Sequence, residues 1–138
     1  MPRLENKVVL LSGGASGIGA ETARQVVREG GKAVLADRDE AKGRALAAEL
    51  GASAHFVPLD VTQEASWQSA VAATLERFGA LHGLLNAAGI GVRNSIEDCT
   101  LEEFRRVNDV NSLGTFLGCK TAIPAMKDSG GGSIVNIS

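Results

Sequence analysis

The sequence predicts an α/β protein with a doubly wound parallel sheet in three layers. Short apolar runs alternate with longer segments of helical periodicity. Each run is apolar along its whole length rather than at every second residue, which suits a strand buried on both faces. Gly, Asp and Ser cluster at the junctions, and right-handed crossovers then cover both faces of the sheet.

The elements follow in order. Lys7 to Leu11 is the first buried strand, and Ser12 to Gly19 a Gly-rich turn. Gly17 to Arg28 forms a helix that Gly30-Gly31 ends. Lys32 to Ala36 is the second strand. Asp39 caps an Ala-rich helix that runs through Leu50 and stops at Gly51. Ala54 to Leu59 is the third strand. Thr62 is the expected cap of a helix whose apolar face is Trp67, Val71, Leu75 and Phe78, and that spacing assigns Trp67 to the core. Leu81 to Leu85 is the fourth strand. Thr100-Leu101-Glu102-Glu103 has the form of a capping box and opens a long helical region that Pro124 kinks or ends. Gly130-Gly131-Gly132 turns the chain into a fifth strand from Ser133 to Ile137. That strand is expected to leave an apolar edge at Ile134, Val135 and Ile137.

Composition narrows the classes. Hydrophobic residues make up 44% of the 138 residues and charged residues 22%, as in soluble globular proteins. With 17 Gly and few aromatics, the core has to be built from Ala, Val, Leu and Ile. A net charge of −2 provides no basic stripe for nucleic acid. The pair Arg105-Arg106 follows Glu102-Glu103 and reads as a solvated helix face. Cys99 and Cys119 are too few and too far apart for a metal or redox motif, and His55 and His82 lack spacing partners, so no metal site is expected. No secretory leader or membrane span is visible, which points to the cytoplasm. There is no internal repeat, low-complexity stretch or linker. Residues 1–138 are expected to form part of a single domain.

The residues that carry chemistry begin at the first turn, Ser12-Gly13-Gly14-Ala15-Ser16-Gly17-Ile18-Gly19. Gly13 permits a bend that a β-carbon would block. Gly17 and Gly19 let the backbone approach a pyrophosphate and let the helix pack on the sheet. The helix N-terminus then points free N–H groups at the phosphates, which places Ser16 and Ile18 beside them. Asp37 ends the second strand about 20 residues beyond the turn, where a carboxylate accepts hydrogen bonds from the adenosine ribose. A plain turn role before Asp39 is the alternative. Arg38 can stack on adenine or reach a 2′-phosphate. Asp60 and Val61 end the third strand, where Asp60 can face the adenine amino group or serve the strand end alone. Asn86-Ala87-Ala88-Gly89 ends the fourth strand. Its small residues admit a ligand at the switch point, and Asn86 can tie neighbouring strands.

Together these motifs resemble the short-chain dehydrogenase/reductase family over Lys7 to Ser138. The turn matches the family's Thr-Gly-x-x-x-Gly-x-Gly with Ser12 in place of Thr. Asn86-Ala87-Ala88-Gly89 stands for Asn-Asn-Ala-Gly, with Ala87 departing from the pattern. Val110-Asn111 followed by Gly114 resembles the segment with the catalytic Asn. Gly132 to Ser138 resembles the strand leading to the catalytic Ser. The resemblance implies that residues 1–138 form the NAD-binding N-terminal part of a single Rossmann-type domain, with NAD as cofactor, a secondary alcohol or ketone as substrate, Asn111 as a catalytic residue that fixes a water, and a homotetramer. The alternative for Asn111 is a local break in the helix, since Asn is a poor helix former. The family's Tyr-x-x-x-Lys has no counterpart, since the chain contains no Tyr. The expected function is NAD-dependent hydride transfer. The alternative is a truncated, inactive dinucleotide-binding module, and an epimerase-like Rossmann enzyme is a third, disfavoured reading. Substrate identity and direction stay open. The segment after Gly89, Ile90 to Cys99, is expected to form part of the substrate pocket; Arg93 and Asn94 are its polar candidates, with solvent as the preferred reading for both.

Overall fold

A computed structural model describes residues 1–138. Five parallel strands lie in the order β3-β2-β1-β4-β5. They are β1 (Val8–Ser12), β2 (Lys32–Asp37), β3 (Ala54–Pro58), β4 (Gly83–Asn86) and β5 (Ser133–Asn136). The helices are α1 (Gly17–Arg28), α2 (Glu40–Leu50), α3 (Glu64–Phe78), α4 (Leu101–Asn108) and α5 (Gly114–Asp128). A π-helical turn, Asp109–Leu113, joins α4 to α5.

Strand alternation sorts the core into two layers. Leu10, Val34, Val57 and Leu84 point to the side covered by α3 and α5, where Trp67, Ala70 and Leu117 meet them. Their neighbours Leu11, Leu35, Phe56 and Leu85 point to the other side, against Ala20, Ala23 and Leu46 of α1 and α2. The three-layer doubly wound architecture is therefore as expected.

Local chemistry sets most boundaries. Asp39 accepts from the Lys42 N–H at 3.1 Å and caps α2. Thr100 accepts from the Glu103 N–H at 3.1 Å, and Glu103 accepts from the Thr100 N–H at 2.8 Å, completing the capping box.

Four local expectations are corrected. Thr62 does not cap α3: Gln63 occupies that position without a side-chain bond, and the Thr62 hydroxyl donates instead to Asp60. The buried face of α3 holds Trp67, Ala70, Val71 and Thr74, while Leu75 turns to solvent. Pro124 does not end α5, which runs on to Asp128. Ile134 of β5 packs against the α3/α5 layer, so only Val135 and Ile137 are left exposed, on the opposite face.

Candidate active site

The cleft lies at the carboxyl ends of the strands, where the chain order reverses between β1 and β4. That is the place where open α/β sheets bind ligands. It has a volume of about 330 Å³. One wall is the turn between β1 and α1 with the ends of β2 and β3. The other is the segment after β4 with α4 and the π turn.

Gly13 joins the two walls. Its φ is +67°, and a β-carbon there would meet the Ala88 nitrogen at 2.8 Å. The Ser12 hydroxyl, alongside, accepts from the Ala88 N–H at 3.3 Å. Gly19 packs against the carbonyl of Gly13 with no room for a side chain, so its part is to seat α1 on the turn. Gly17 differs, because with φ at +55° a β-carbon would meet nothing within 4 Å. It faces open space at the helix start. Ser16 makes no capping bond there, so the first-turn N–H groups have no side-chain acceptor. Ile18 lines the same corner and is exposed. An uncapped helix N-terminus beside a glycine open to the cleft fits a phosphate group.

Asp37 has two neighbours of its own. One oxygen accepts from the Ala15 N–H at 3.0 Å and the other from the Asp39 N–H at 2.9 Å. The carboxylate therefore pins the glycine turn to the end of β2, and each oxygen keeps acceptor capacity toward the cleft. The turn role and the ligand-facing position coincide in one residue. Asp60 accepts from both the Thr62 hydroxyl, at 2.7 Å, and the Thr62 N–H, at 3.0 Å. The hydroxyl bond chiefly holds its carboxyl below the usual range. Burial opposes that, while the Thr62 N–H and the charge of Arg38 add to it. Val61 and Arg38 line the cleft beside it.

Ala87, Ala88 and Gly89 line the second wall, whereas Asn86 does not. Its buried amide donates to Asn136 Oδ1 at 2.9 Å and to Cys119 Sγ at 3.7 Å, tying β4 to β5 beneath the cleft. Its Oδ1 has no partner and lies against Gly118, where a β-carbon would come within 2.6 Å of it. Asn111 sits in the π turn and grips Ile90 twice. Its Oδ1 accepts from the Ile90 N–H and its Nδ2 donates to the Ile90 carbonyl, both at 2.9 Å. It thus sets the course of the chain after Gly89. Arg93 and Asn94 are exposed, and Asn94 donates to Glu103 of the capping box at 3.0 Å.

Ile90 and Val110 also line the cleft, and so does Arg106, which the sequence assigned to a solvated helix face. Arg106 is exposed, but it stands on the cleft rim rather than on a purely solvated face. Helical spacing would have found it, because Arg106 and Val110 are one turn apart and precede Asn111.

The model for short chain dehydrogenase matches residues 7–138. The chain belongs to the short-chain dehydrogenase family. A relative in Mycobacterium tuberculosis, a 3-alpha-(or 20-beta)-hydroxysteroid dehydrogenase, is 49% identical over 99% of this chain and 52% of its own length. The trans-4-hydroxycyclohexanecarboxylate dehydrogenase of Sinomonas cyclohexanicum is 47% identical over 99% of this chain and 56% of its own. A solved 3-ketoacyl-(acyl-carrier-protein) reductase from Brucella melitensis, complexed with NADH, superposes with a TM-score of 0.94 at 37% identity. That match covers 97% of this chain and 57% of the reductase. The chain therefore spans about half the length of the curated relatives it matches.

Proposed function

We propose that this protein is an NAD-dependent oxidoreductase that transfers a hydride between nicotinamide and the carbinol carbon of a secondary alcohol, or the carbonyl carbon of the matching ketone. One observation carries the reading: a single cleft brings together the open glycine at Gly17, the uncapped start of α1 and the carboxylate of Asp37. NAD, when bound, supplies the hydride acceptor. Ser16, Gly17 and Ile18 hold its pyrophosphate by backbone approach, on a turn whose shape depends on Gly13 and Gly19. Asp37 accepts from the adenosine ribose, and Arg38, Asp60 and Val61 border the adenine. Ala87, Ala88 and Gly89 lie along the dinucleotide, with Asn86 supporting them from below. Asn111 holds Ile90 at the end of that wall.

Residues 1–138 then form the NAD-binding part of one domain. Alcohol oxidation also needs a group to take the hydroxyl proton. Asn111 cannot supply it, because an amide does not titrate in the useful range. This chain has no Tyr, and its relatives are about twice as long, so we assign the proton-transfer group to residues outside these 138. Hydroxyls on alicyclic rings, named in both relatives above, are the first substrates to test. We place the protein in the cytoplasm, as a homotetramer. Phe104 and Phe116 are each 60% exposed along α4 and α5, with Leu113 and Ile123 beside them. Light scattering at micromolar concentration should report a tetramer, and a monomer overturns that assignment.

The test of function is NADH formation by the complete protein with a panel of cyclic secondary alcohols. NAD should be used in preference to NADP, because Asp37 would face the 2′-phosphate at close range. Hydrogen bonds to a carboxylate contribute about 1.5–3 kcal/mol, so Asp37→Ala should weaken NAD binding roughly tenfold or more while relieving NADP. Equal use of NADP by the unaltered protein sinks the coenzyme assignment. Dinucleotide binding without turnover on any alcohol or ketone supports the inactive-module reading instead.

A further inference from the structure

We infer that Arg106 and Arg38 close on the adenine of the bound dinucleotide from opposite walls, which makes Arg106 a positioning residue for the adenosine end. The inference rests on the dinucleotide reading of the cleft.

Both guanidiniums lack a partner within the chain. The five ion pairs engage Arg3, Arg24, Arg44 and Lys120 only. The two cation–π contacts are Arg44 on Phe56 and Arg77 on Phe78. Yet Arg38 and Arg106 line the same cleft, one at the end of β2 and the other on α4. They also share the adjoining hollow over Thr62 and Val110. Arg38 lines a further hollow with Asp60, and neither hollow includes Gly17, so the two guanidiniums stand at the Asp60–Thr62 end of the cleft.

Chemistry selects adenine over phosphate as their target. A phosphate dianion at this rim would stand beside the carboxylates of Asp37 and Asp60. The Thr62 bonds favour the ionised form of Asp60 and hold its carboxyl below the usual range, so it is charged at neutral pH. A neutral purine meets no such opposition, and planar guanidinium stacks on aromatic faces in a way that ammonium does not. Arg105 provides an internal control. It lines the hollow but not the cleft.

The experiment is calorimetric titration of the complete protein with NADH, ADP-ribose, reduced nicotinamide mononucleotide, and ADP-ribose bearing a 2′-phosphate. Arg106→Ala should weaken NADH and ADP-ribose alike, by about two- to fivefold, and leave the mononucleotide unchanged. Arg106→Lys should not restore the loss, and Arg105→Ala should bind like the parent. Circular dichroism checks that each variant is folded. Unchanged ADP-ribose binding by Arg106→Ala overturns the inference. So does full rescue by Lys, or a loss confined to the 2′-phosphorylated ligand, since either assigns Arg106 to charge alone. Failure of the unaltered protein to bind ADP-ribose is a different result: it removes the dinucleotide reading and this inference with it.

Discussion

The two walls of the cleft are built by different means. The wall at Ser12 to Gly19 is mostly backbone, wedged between buried strands and fixed by sterics. A β-carbon at Gly13 would overlap the opposite wall, and one at Gly14 would come within 2.9 Å of the Leu11 carbonyl. The wall from Ala87 to Asn111 packs on the core through Ala87, Ala88 and Val110 and otherwise rests on polar side-chain contacts near the surface. No residue of α4 is buried, and the helix is held by its capping box and by its continuity with the π turn. Asn111 then hooks Ile90 onto that arm. The phosphate end of the site is therefore rigid by packing, whereas the far end depends on a few hydrogen bonds.

The sharpest way to break the comparison is Gly13→Val. A β-branched residue at positive φ is strained by about 1–3 kcal/mol, and overlap with the Ala87–Ala88 backbone adds a similar amount. We expect a loss of about 3 kcal/mol or more in urea unfolding, together with loss of NADH binding. Tight NADH binding by this variant would show that the first wall is not sterically fixed.

Asn111→Ala tests the second wall. Two side-chain bonds to Ile90 disappear, and bonds of this kind contribute about 1 kcal/mol each near a surface. Stability should fall by roughly 1–2 kcal/mol, and hydrogen exchange should quicken at Ile90 while Ala15 stays protected. Asn111→Asp keeps the acceptor for the Ile90 N–H and loses the donor, so it should fall between. Equal acceleration at Ala15 and Ile90 would mean that the walls move as one body.

The same contrast explains what was legible in the sequence. The glycine turn, the strands and the capping box depend on residues a few positions apart, and α1 begins and ends where its Gly signals place it. The second wall depends on contacts remote in sequence. The poor helix propensity of Asn111 announces a local break, which is the π turn at Asp109–Leu113, but nothing local tells that the turn aims Asn111 at a residue far back in the chain. Thr62 looked like a cap because hydroxyls favour that position, but the carboxylate of Asp60 competed for it successfully. Pro124 signals a kink or an end of the helical region, and it does not end it. Burial of Ala122, Ala125 and Met126 carries α5 past it, and both Pro124 and Lys120, whose carbonyl loses its donor, lie on the solvent side. Asn86 reads from its place at the end of β4 as a tie between neighbouring strands, and it is one, but adjacency in sequence does not reveal that Asn136 of β5 is its partner.

The smallest effect lies where the strands bearing the two walls begin. At the end of the sheet away from the cleft, the Val8 N–H donates to His82 Nδ1 at 3.0 Å, and the His82 N–H donates to the Val8 carbonyl at 2.8 Å. This reciprocal pair joins β1, which feeds the first wall, to β4, which feeds the second. The imidazole must be neutral at Nδ1 to accept. Burial pushes its pKa below the ordinary 6.5, and the charge of Lys7 acts in the same direction. Because the folded value is the lower one, the unfolded chain binds more protons as pH falls. The contribution is thus fully present above about 6.5 and is lost as pH drops through the folded value. The carboxyls of Glu29, Asp60 and Glu103 are all held below their ordinary values of 3.8 to 4.5, so their losses fall at lower pH. Between pH 6.5 and 5 the His82 term should stand apart. We expect stability to decline by about 0.5–1.5 kcal/mol across that window, the net worth of one such hydrogen bond. His82→Gln should flatten the decline, since its amide oxygen can accept from Val8 without titrating. An unchanged slope in His82→Gln would remove this bond as the pH-sensitive link between the two strands.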